Sequence, residues 1–194
     1  SKCLEYIQHL ISLGLVARET PFLEPESSRR SIYRITDPFF RFWYRFVFSN
    51  RDLIDRGMGG ILLQEKILPA LDLFVGIEFE NICRDYLWEQ NSKAQLPFLF
   101  TNIGRWWGND PQNRTEAEID LVAASQDASL FCECKWRNEP CGSSVLDLLE
   151  HRATLLKPFP KSYFVVFSKA GFTPELIQKV QTRDEVSLIS VEEM

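Results

Sequence analysis

The chain has 194 residues, of which 45% are hydrophobic and 25% are charged, and its formal net charge is −5 at pH 7. These values exclude a disordered chain and are typical of one or two globular domains. The negative charge argues against sequence-independent DNA binding by the whole chain, because such binding is mostly neutralisation of phosphates.

Charge is distributed unevenly along the chain. Residues 1–56 carry nine basic and seven acidic side chains, whereas residues 57–194 carry 13 and 20. The second part alone would therefore be a poor binder of DNA, although cations held by its carboxylates would offset part of its charge.

Cysteine and histidine usage indicates the redox compartment. The five cysteines include no Cys-x-x-Cys pair, and the two histidines are His9 and His151. This pattern does not support a disulfide framework or a structural zinc site. The sequence also has no signal-peptide pattern and no apolar run of membrane length. We therefore expect a cytoplasmic protein without a membrane span.

The first predicted element is an amphipathic helix over residues 2–13, with Leu4, Ile7 and Ile11 on its apolar face. Gly14 is a typical C-terminal stop signal for this helix. Because the helical pattern begins directly after the first residue, we expect the chain to be the C-terminal piece of a longer protein.

Two short strands are predicted next, over residues 15–19 and 31–35, with Arg29 and Arg30 in the loop between them. A helix followed by such a hairpin is typical of the second half of a winged helix. We therefore interpret residues 1–36 as a partial winged helix, whose helix can enter a major groove and whose wing can contact the DNA backbone. The alternative is that these elements only pack against neighbouring parts of the protein.

Residues 37–75 are predicted to form a helical connector. Asp37 and Pro38 are typical of a helix N-cap and first helical position, and they open an aromatic run that continues to Phe48. Because this run is apolar on all sides except for two arginines, we expect it to be buried between two modules rather than to stack on bases. A polar, glycine-rich stretch and a second helix, with a kink or break at Pro69, follow.

Residues 76–194 are predicted to form an α/β domain with the order helix, three strands, helix, strand, helix, strand. A helix starts at Gly76, a second at Ser143 or Ser144, and a third near Pro174. Strands are expected over residues 97–108, 116–124, 129–136, 163–167 and 186–191. The fourth strand is a continuous apolar run, which predicts burial on both of its faces.

Charged residues interrupt two of these apolar strands, with Asp120 in the second and both Glu133 and Lys135 in the third. Since side chains alternate between the faces of a strand, Glu133 and Lys135 share one face, and a hairpin would bring Asp120 close to Glu133. Buried charges are costly unless they are paired or metal-bound. The pattern therefore predicts a site that holds a divalent cation and orients a phosphate.

This order of elements, with Glu80 on the helix, Asp120 on the second strand and Glu133-x-Lys135 on the third, resembles the PD-(D/E)xK restriction-endonuclease-like superfamily over about residues 75–170. The resemblance implies a mixed sheet flanked by helices. It also implies that Asp120, Glu133 and Glu80 ligate Mg²⁺ or Mn²⁺. Lys135 would orient or help to deprotonate the attacking water and stabilise charge on the scissile phosphate.

Each of these residues also has a structural interpretation. Glu80 can pair along its own helix, and Glu133 and Lys135 can simply pair with each other, an interaction worth roughly 0–1 kcal/mol when exposed. Asp120 can bond to a neighbouring strand or to the side chain of Arg105. Arg105 is otherwise a candidate for nucleic-acid binding, together with the two arginines of the wing.

Longer stretches of the sequence carry a second resemblance. Residues 33–44 (YRITDPFFRFWY), 76–80 (GIEFE), 104–108 (GRWWG) and 133–137 (ECKWR) look similar to the C-terminal region of archaeal and bacterial AAA-type P-loop ATPases. That family joins an ATPase core, a winged helix and a nuclease-like domain. The sequence contains no Gly-x-x-x-x-Gly-Lys-Ser/Thr loop, so ATP binding would belong to an upstream domain outside these residues.

Two hypotheses from different functional classes follow from these patterns. The first is an enzyme that cleaves DNA with Mg²⁺ and is gated by an upstream ATPase domain. The second is a catalytically inactive nuclease-like module that binds DNA or a protein partner and regulates that ATPase. Convergence of the carboxylates and the lysine on one spot is the feature that the first hypothesis requires.

Overall fold

The computed structural model describes residues 2–194, which divide into two compact units. The first unit holds the described residues up to Thr20 together with Glu24–Val75, and the second holds Pro21–Leu23 and Gly76–Met194. Among residues 2–194, no helix combines the length and the apolar character needed to cross a membrane.

The first unit is mostly helical and contains one small sheet. Its elements are α1 (Lys2–Ser12), β1 (Val16–Glu19), β2 (Ile32–Ile35), α2 (Pro38–Phe42), α3 (Arg51–Asp55) and α4 (Gly59–Leu62). The boundary between the units lies within α5 (Leu68–Ser92). The predicted helix and two-stranded hairpin are thus present, and β1 and β2 pair antiparallel. No residue of α1 is buried.

The aromatic run begins as predicted but is exposed. The Asp37 side chain caps α2, and the helix continues as a π-helical turn and a 3₁₀ turn up to Asn50. Within residues 38–50 only Phe46 is buried. More than a third of the surface is exposed for Phe39, Phe40, Trp43, Tyr44 and Phe48. The predicted burial is wrong because the core of the first unit is small, with four buried residues, and covers only one stripe of the run.

The helix boundaries in and after the connector differ from the predicted ones. Two short helices, α3 and α4, occupy most of the polar, glycine-rich residues 49–60. Pro69 is the second residue of α5 and follows a π-helical turn, so its missing N–H falls where the helix can tolerate it. Gly76 lies inside α5 and does not start a new helix; a glycine there costs roughly 1 kcal/mol but does not end the helix.

The second unit is built on a five-stranded sheet. Its elements after α5 are β3 (Ile103–Asp110), β4 (Thr115–Ala124), β5 (Ala128–Lys135), α6 (Ser143–Ala153), β6 (Lys161–Ser168), α7 (Pro174–Val180) and β7 (Val186–Ser190). The strand order is β3-β4-β5-β6-β7, with β3, β4 and β5 antiparallel and β5, β6 and β7 parallel. The predicted mixed sheet flanked by helices is confirmed, although its first strand begins at Ile103 rather than near residue 97.

Both faces of this sheet are covered by helices. On one face, α6 and α7 pack on Ile119, Val122, Phe131 and Val166. On the other face, the part of α5 beyond Gly76 packs on Leu121, Leu130, Cys132, Val165 and Phe167. The interior strand β6 contributes to both clusters, as its continuous apolar run predicted. The charged residues of β4 and β5 therefore lie within a sheet that is closed on both faces.

Candidate functional site

The site begins where β4 and β5 separate. Their backbone pairing runs from the hairpin loop as far as Leu121, which pairs with Cys132, and extends no further. Beyond that point the side chain of Asp120 replaces the backbone of β4 as hydrogen-bond acceptor, since its Oδ2 accepts a hydrogen bond of 2.7 Å from the backbone N–H of Cys134. The predicted approach of Asp120 to β5 is thus achieved by a side chain lying between two diverging strands.

A β-bulge places Asp120 in this position. The pairing of β3 with β4 shifts register between Gly104 and Trp106, so Asp120 and Leu121 together lie opposite Arg105. A bulge inserts one extra residue, bends its strand and redirects a side chain. The strict alternation of faces that the sequence suggested for β4 therefore fails at Asp120.

On β5, Glu133 lies between two cationic side chains. Glu133 is only 3% exposed, and its Oε1 accepts an ion-pairing hydrogen bond from Nζ of Lys135, on the same face of the strand as predicted. Nη1 of Arg152, from the last turn of α6, lies 3.4 Å from Oε1 and 3.3 Å from Oε2 of Glu133. The buried carboxylate is therefore compensated from its own strand and from the covering helix.

Burial and neighbouring charges shift the pKa values of Asp120 and Lys135. Burial raises the pKa of Asp120 to about 8, and the negative charges of Glu133 and Glu80 act in the same direction. The Asp120 carboxyl is therefore mostly protonated at neutral pH in the absence of a cation. Burial alone would lower the pKa of Lys135, but the Glu133 carboxylate outweighs it and the pKa is raised, so Lys135 is charged.

Glu80 and Arg105 complete the surroundings of Asp120. Glu80, on α5, has its Oε2 at 3.3 Å from Nε of Arg105, and Nη2 of Arg105 lies 3.3 Å from Oε2 of Glu118. Glu80 is thus close enough to raise the pKa of Asp120, as its predicted position against the sheet required. Arg105, which is predicted to bind nucleic acid, forms ion pairs with both the Glu80 and the Glu118 carboxylates.

The donor set suits a hard divalent cation. Asp120 and Glu133 offer carboxylate oxygens, and Mg²⁺ prefers oxygen ligands while it keeps several waters. Burial is the main cause of the raised pKa of Asp120, and the negative charges of Glu133 and Glu80 add to it; a cation would offset those charges and displace the proton. In the part of the chain that the structure describes, no group of three or more His, Cys, Asp or Glu side chains forms a ready-made metal site. A cation at Asp120 and Glu133 would therefore need water for the rest of its coordination, as Mg²⁺ commonly has.

The predicted DNA-binding arginines of the wing lie in the first unit. Arg29 is exposed, and Arg30 is exposed and forms an ion pair with Glu24. In the loop between β1 and β2, Arg30 is thus ion-paired with a carboxylate and Arg29 lies at the surface.

A third buried carboxyl group, Asp110, lies at the end of β3. Asp110 accepts hydrogen bonds from Nε2 of His151 at 2.7 Å and from Nδ2 of Asn113 at 2.8 Å. It also accepts the backbone N–H groups of Gln112 and Asn113. The His151 hydrogen bond is the main reason that the pKa of Asp110 is lowered to about 2, against an opposing effect of burial. This cluster fixes the β3–β4 turn to α6.

Sequence reasoning missed Arg152 and the Asp110 cluster. Arg152 follows Val145 and Leu149 at helical spacing, so it occupies the apolar stripe of α6, and a charge on that stripe was a usable signal. No comparable signal exists for Asp110 and His151, because 41 residues separate them and neither interrupts a pattern.

A cavity of about 400 Å³ in the second unit is separate from this site. Tyr86 of α5, Leu130 at the start of β5 and Tyr163 of β6 contribute to its lining. Glu133 and Lys135 lie at the other end of β5 and do not contribute. The chemistry suggested by the charged residues is therefore located at a strand divergence and not in this cavity.

Fold and site together define a mixed α/β protein with a buried carboxylate pair and a lysine at one end of its sheet. Residues 43–151, more than half of the chain, match the DUF234 family, which is described as "Archaea bacterial proteins of unknown function". The chain belongs to this family. The matched residues include Glu80, Asp120, Glu133 and Lys135.

One curated relative is the uncharacterized protein MJECL04 of Methanocaldococcus jannaschii, which is 36% identical over 135 residues. The match covers 69% of this chain and 29% of that protein, so the chain spans less than a third of the length of this relative. No solved structure matches the chain.

Proposed function

We propose that this chain is the C-terminal part of an AAA-type ATPase and that its second unit cleaves DNA in a Mg²⁺- or Mn²⁺-dependent reaction. In this proposal α1 and the β1–β2 hairpin contact DNA as a winged helix, and ATP is bound only by an upstream domain. The resemblance of residues 33–44 and 104–108 to such ATPases supports the proposal. The relative MJECL04 is longer than the matched segment, which leaves room in that relative for a further domain.

One observation carries the proposal: Asp120, Glu133 and Lys135 meet where β4 and β5 separate, within hydrogen-bonding or ion-pairing distance of one strand segment. Asp120 and Glu133 would hold the cation, which would supply a bound water of lowered pKa next to the scissile phosphate. Lys135, charged and 31% exposed, can reach a phosphate oxygen from the same face as Glu133.

The acidic character of residues 57–194 bears on how DNA would be held. Because this part carries an excess of seven negative charges, we propose that the first unit, with Arg29 and Arg30, supplies much of the phosphate contact. The cation at Asp120 and Glu133 would offset part of the remaining repulsion.

Nicking of supercoiled plasmid DNA in the presence of Mg²⁺ or Mn²⁺ tests the proposal. We expect Asp120→Asn and Lys135→Ala each to lower the cleavage rate by at least about 10³-fold, since each loses several kcal/mol of transition-state stabilisation. Asp147→Asn is the control, an exposed aspartate that pairs with Lys179, and should cleave at the wild-type rate. Wild-type cleavage by both Asp120→Asn and Lys135→Ala would refute the assignment.

The ion pairs of Glu133 favour a second candidate function. Lys135 and Arg152 already compensate the Glu133 carboxylate, as expected for an inactive nuclease-like module that binds DNA or a protein and regulates an upstream ATPase. Calorimetric titration with Mn²⁺ separates the candidates. Uptake of Mn²⁺ that Asp120→Asn abolishes supports the enzyme, whereas DNA binding in EDTA without any Mn²⁺ uptake or cleavage supports the inactive module.

A further inference from the structure

We propose that Arg152 is a phosphate-binding residue of this centre. Arg152 pairs with Glu133 while the Glu133 carboxylate binds no cation. When a divalent cation binds that carboxylate, Arg152 is released and binds a DNA phosphate. The proposal rests on the function proposed above and adds to it a residue and its ligand.

The contact between Arg152 and Glu133 leaves most of the guanidinium available. Both contacts, at 3.4 and 3.3 Å, are made by Nη1, one of three guanidinium nitrogens. Charge-assisted hydrogen bonds are ordinarily about 2.7–2.9 Å long, so this pairing is loose. The Arg152 side chain is 19% exposed, so it reaches both the buried carboxylate and the solvent.

The base of Arg152 is nevertheless fixed. It lies in the last turn of α6, whose Leu146 and Leu149 are fully buried against the sheet. The preceding residue, His151, is hydrogen-bonded to Asp110 at the end of β3. A long side chain on a rigid helix turn can move its guanidinium by rotating its own torsions, without any movement of the fold.

The local charge makes an exchange of partners favourable. Glu133 is the shared anion of Lys135 and Arg152, and these two cations repel each other. A divalent cation bound by Glu133 would leave both side chains without their anion and add two positive charges beside them. A phosphodiester supplies the missing anion, and the planar guanidinium matches its oxygens with two parallel N–H donors.

A purely structural role for Arg152 makes a different prediction. If Arg152 only neutralises Glu133, its removal destabilises the fold and affects DNA binding equally with and without a cation. If it transfers to phosphate, its contribution to DNA binding appears only when a cation is present. The dependence on the cation therefore separates the two roles.

Fluorescence anisotropy with a labelled DNA duplex tests the proposal on the full chain. Affinity is measured in EDTA and in Ca²⁺ over a series of salt concentrations, and electrophoresis verifies that the duplex stays intact. The variants are Arg152→Gln, Arg152→Lys and, as a matched control, Arg183→Gln, whose guanidinium pairs with Glu150 and Glu185. Thermal melts verify that each variant is folded.

We expect Arg152→Gln to bind like the wild type in EDTA and at least about tenfold more weakly in Ca²⁺, because a charged hydrogen bond is lost. The slope of log K against log salt in Ca²⁺ should become shallower by about 0.9, the value for one phosphate contact on duplex DNA. Arg152→Lys should restore the slope but only part of the affinity, since lysine lacks the two-pronged geometry. Arg183→Gln should match the wild type in both conditions.

Wild-type affinity and slope for Arg152→Gln in Ca²⁺, or equal weakening in EDTA and Ca²⁺, would overturn the assignment of Arg152. Failure of the underlying function is recognised separately. If Ca²⁺ does not tighten DNA binding by the wild type, and Asp120→Asn behaves identically, the cation centre itself is refuted together with the inference. Cation-dependent binding that is lost in Asp120→Asn but retained in Arg152→Gln overturns the inference alone.

Discussion

Asp110 and Asp120 lie ten residues apart on the neighbouring strands β3 and β4, and both are buried, with 4% and 6% of their surface exposed. The pKa of Asp110 is lowered to about 2, whereas that of Asp120 is raised to about 8. Similarly small exposed surfaces thus accompany opposite charge states at neutral pH. Burial and two neighbouring carboxylates raise the pKa of Asp120, whereas hydrogen bonds outweigh burial at Asp110.

Hydrogen-bond donors surround Asp110, and like charges surround Asp120. The Asp110 carboxylate accepts hydrogen bonds from His151, Asn113 and two backbone N–H groups, all of which stabilise its charged form. Asp120 accepts the Cys134 N–H but faces two further carboxylates. Asp110 therefore stabilises the contact between the β3–β4 turn and α6. Asp120 has a raised pKa, and strongly shifted pKa values of this kind are common at functional sites.

The largest effect that tests this comparison is on stability, with opposite signs at the two positions. Asp120→Asn should raise the free energy of unfolding by about 1–2 kcal/mol at pH 7.5 in EDTA, because the neutral amide needs no proton to be buried at that pH and keeps an acceptor for the Cys134 N–H. Asp110→Asn should lower it, because a satisfied carboxylate is lost. Urea unfolding monitored by circular dichroism measures both, and a loss of stability in Asp120→Asn would contradict the contrast.

The pH dependence of stability should separate the two residues into different windows. For Asp120, whose folded pKa lies above the ordinary 3.8, the unfolded chain loses its proton first, so stability falls as pH rises from 3.8 towards 8. For Asp110, whose folded pKa lies below 3.8, stability is present above 3.8 and is lost as pH falls towards 2.

Melting temperatures between pH 2 and 9 check these windows. The gap between Asp120→Asn and the wild type should widen as pH rises from 3.8 to about 8. The gap between Asp110→Asn and the wild type should close as pH falls from 3.8 to about 2. Parallel curves for all three proteins across either window would show that the carboxyl group in question has no shifted pKa.

Much of the fold and part of the site could be predicted from the sequence. Period-two alternation put Glu133 and Lys135 on one face of β5, and the hairpin loop brought Asp120 close to that strand, because these features are local. The bulge at Asp120 could not be predicted, since it depends on the register of β3 against β4. Burial of the aromatic run was misjudged for a related reason: local pattern shows that a run is apolar but not how much surface exists to cover it.

The Asp110 cluster was missed because contacts between distant residues leave no local pattern. His151 reaches Asp110 across 41 residues, and only the packing of α6 beside the β3–β4 turn brings them together. Arg152 could have been predicted from the sequence, because it is a charge on an apolar helical stripe. Its pairing with Glu133 could not, since that contact depends on how α6 lies on the sheet.

The smallest expected effect comes from a third carboxylate, Asp147, which calibrates the role of burial. Asp147 is 55% exposed and pairs with Lys179, which is 37% exposed. Because water and salt screen such a pair, Asp147→Asn should change the free energy of unfolding by only about 0–1 kcal/mol, with a smaller change in 1 M salt. A large change measured by urea unfolding would mean that even an exposed ion pair stabilises this fold strongly. A small change would mean that the partners of a carboxyl group matter most where its surface is buried, as at Asp110 and Asp120.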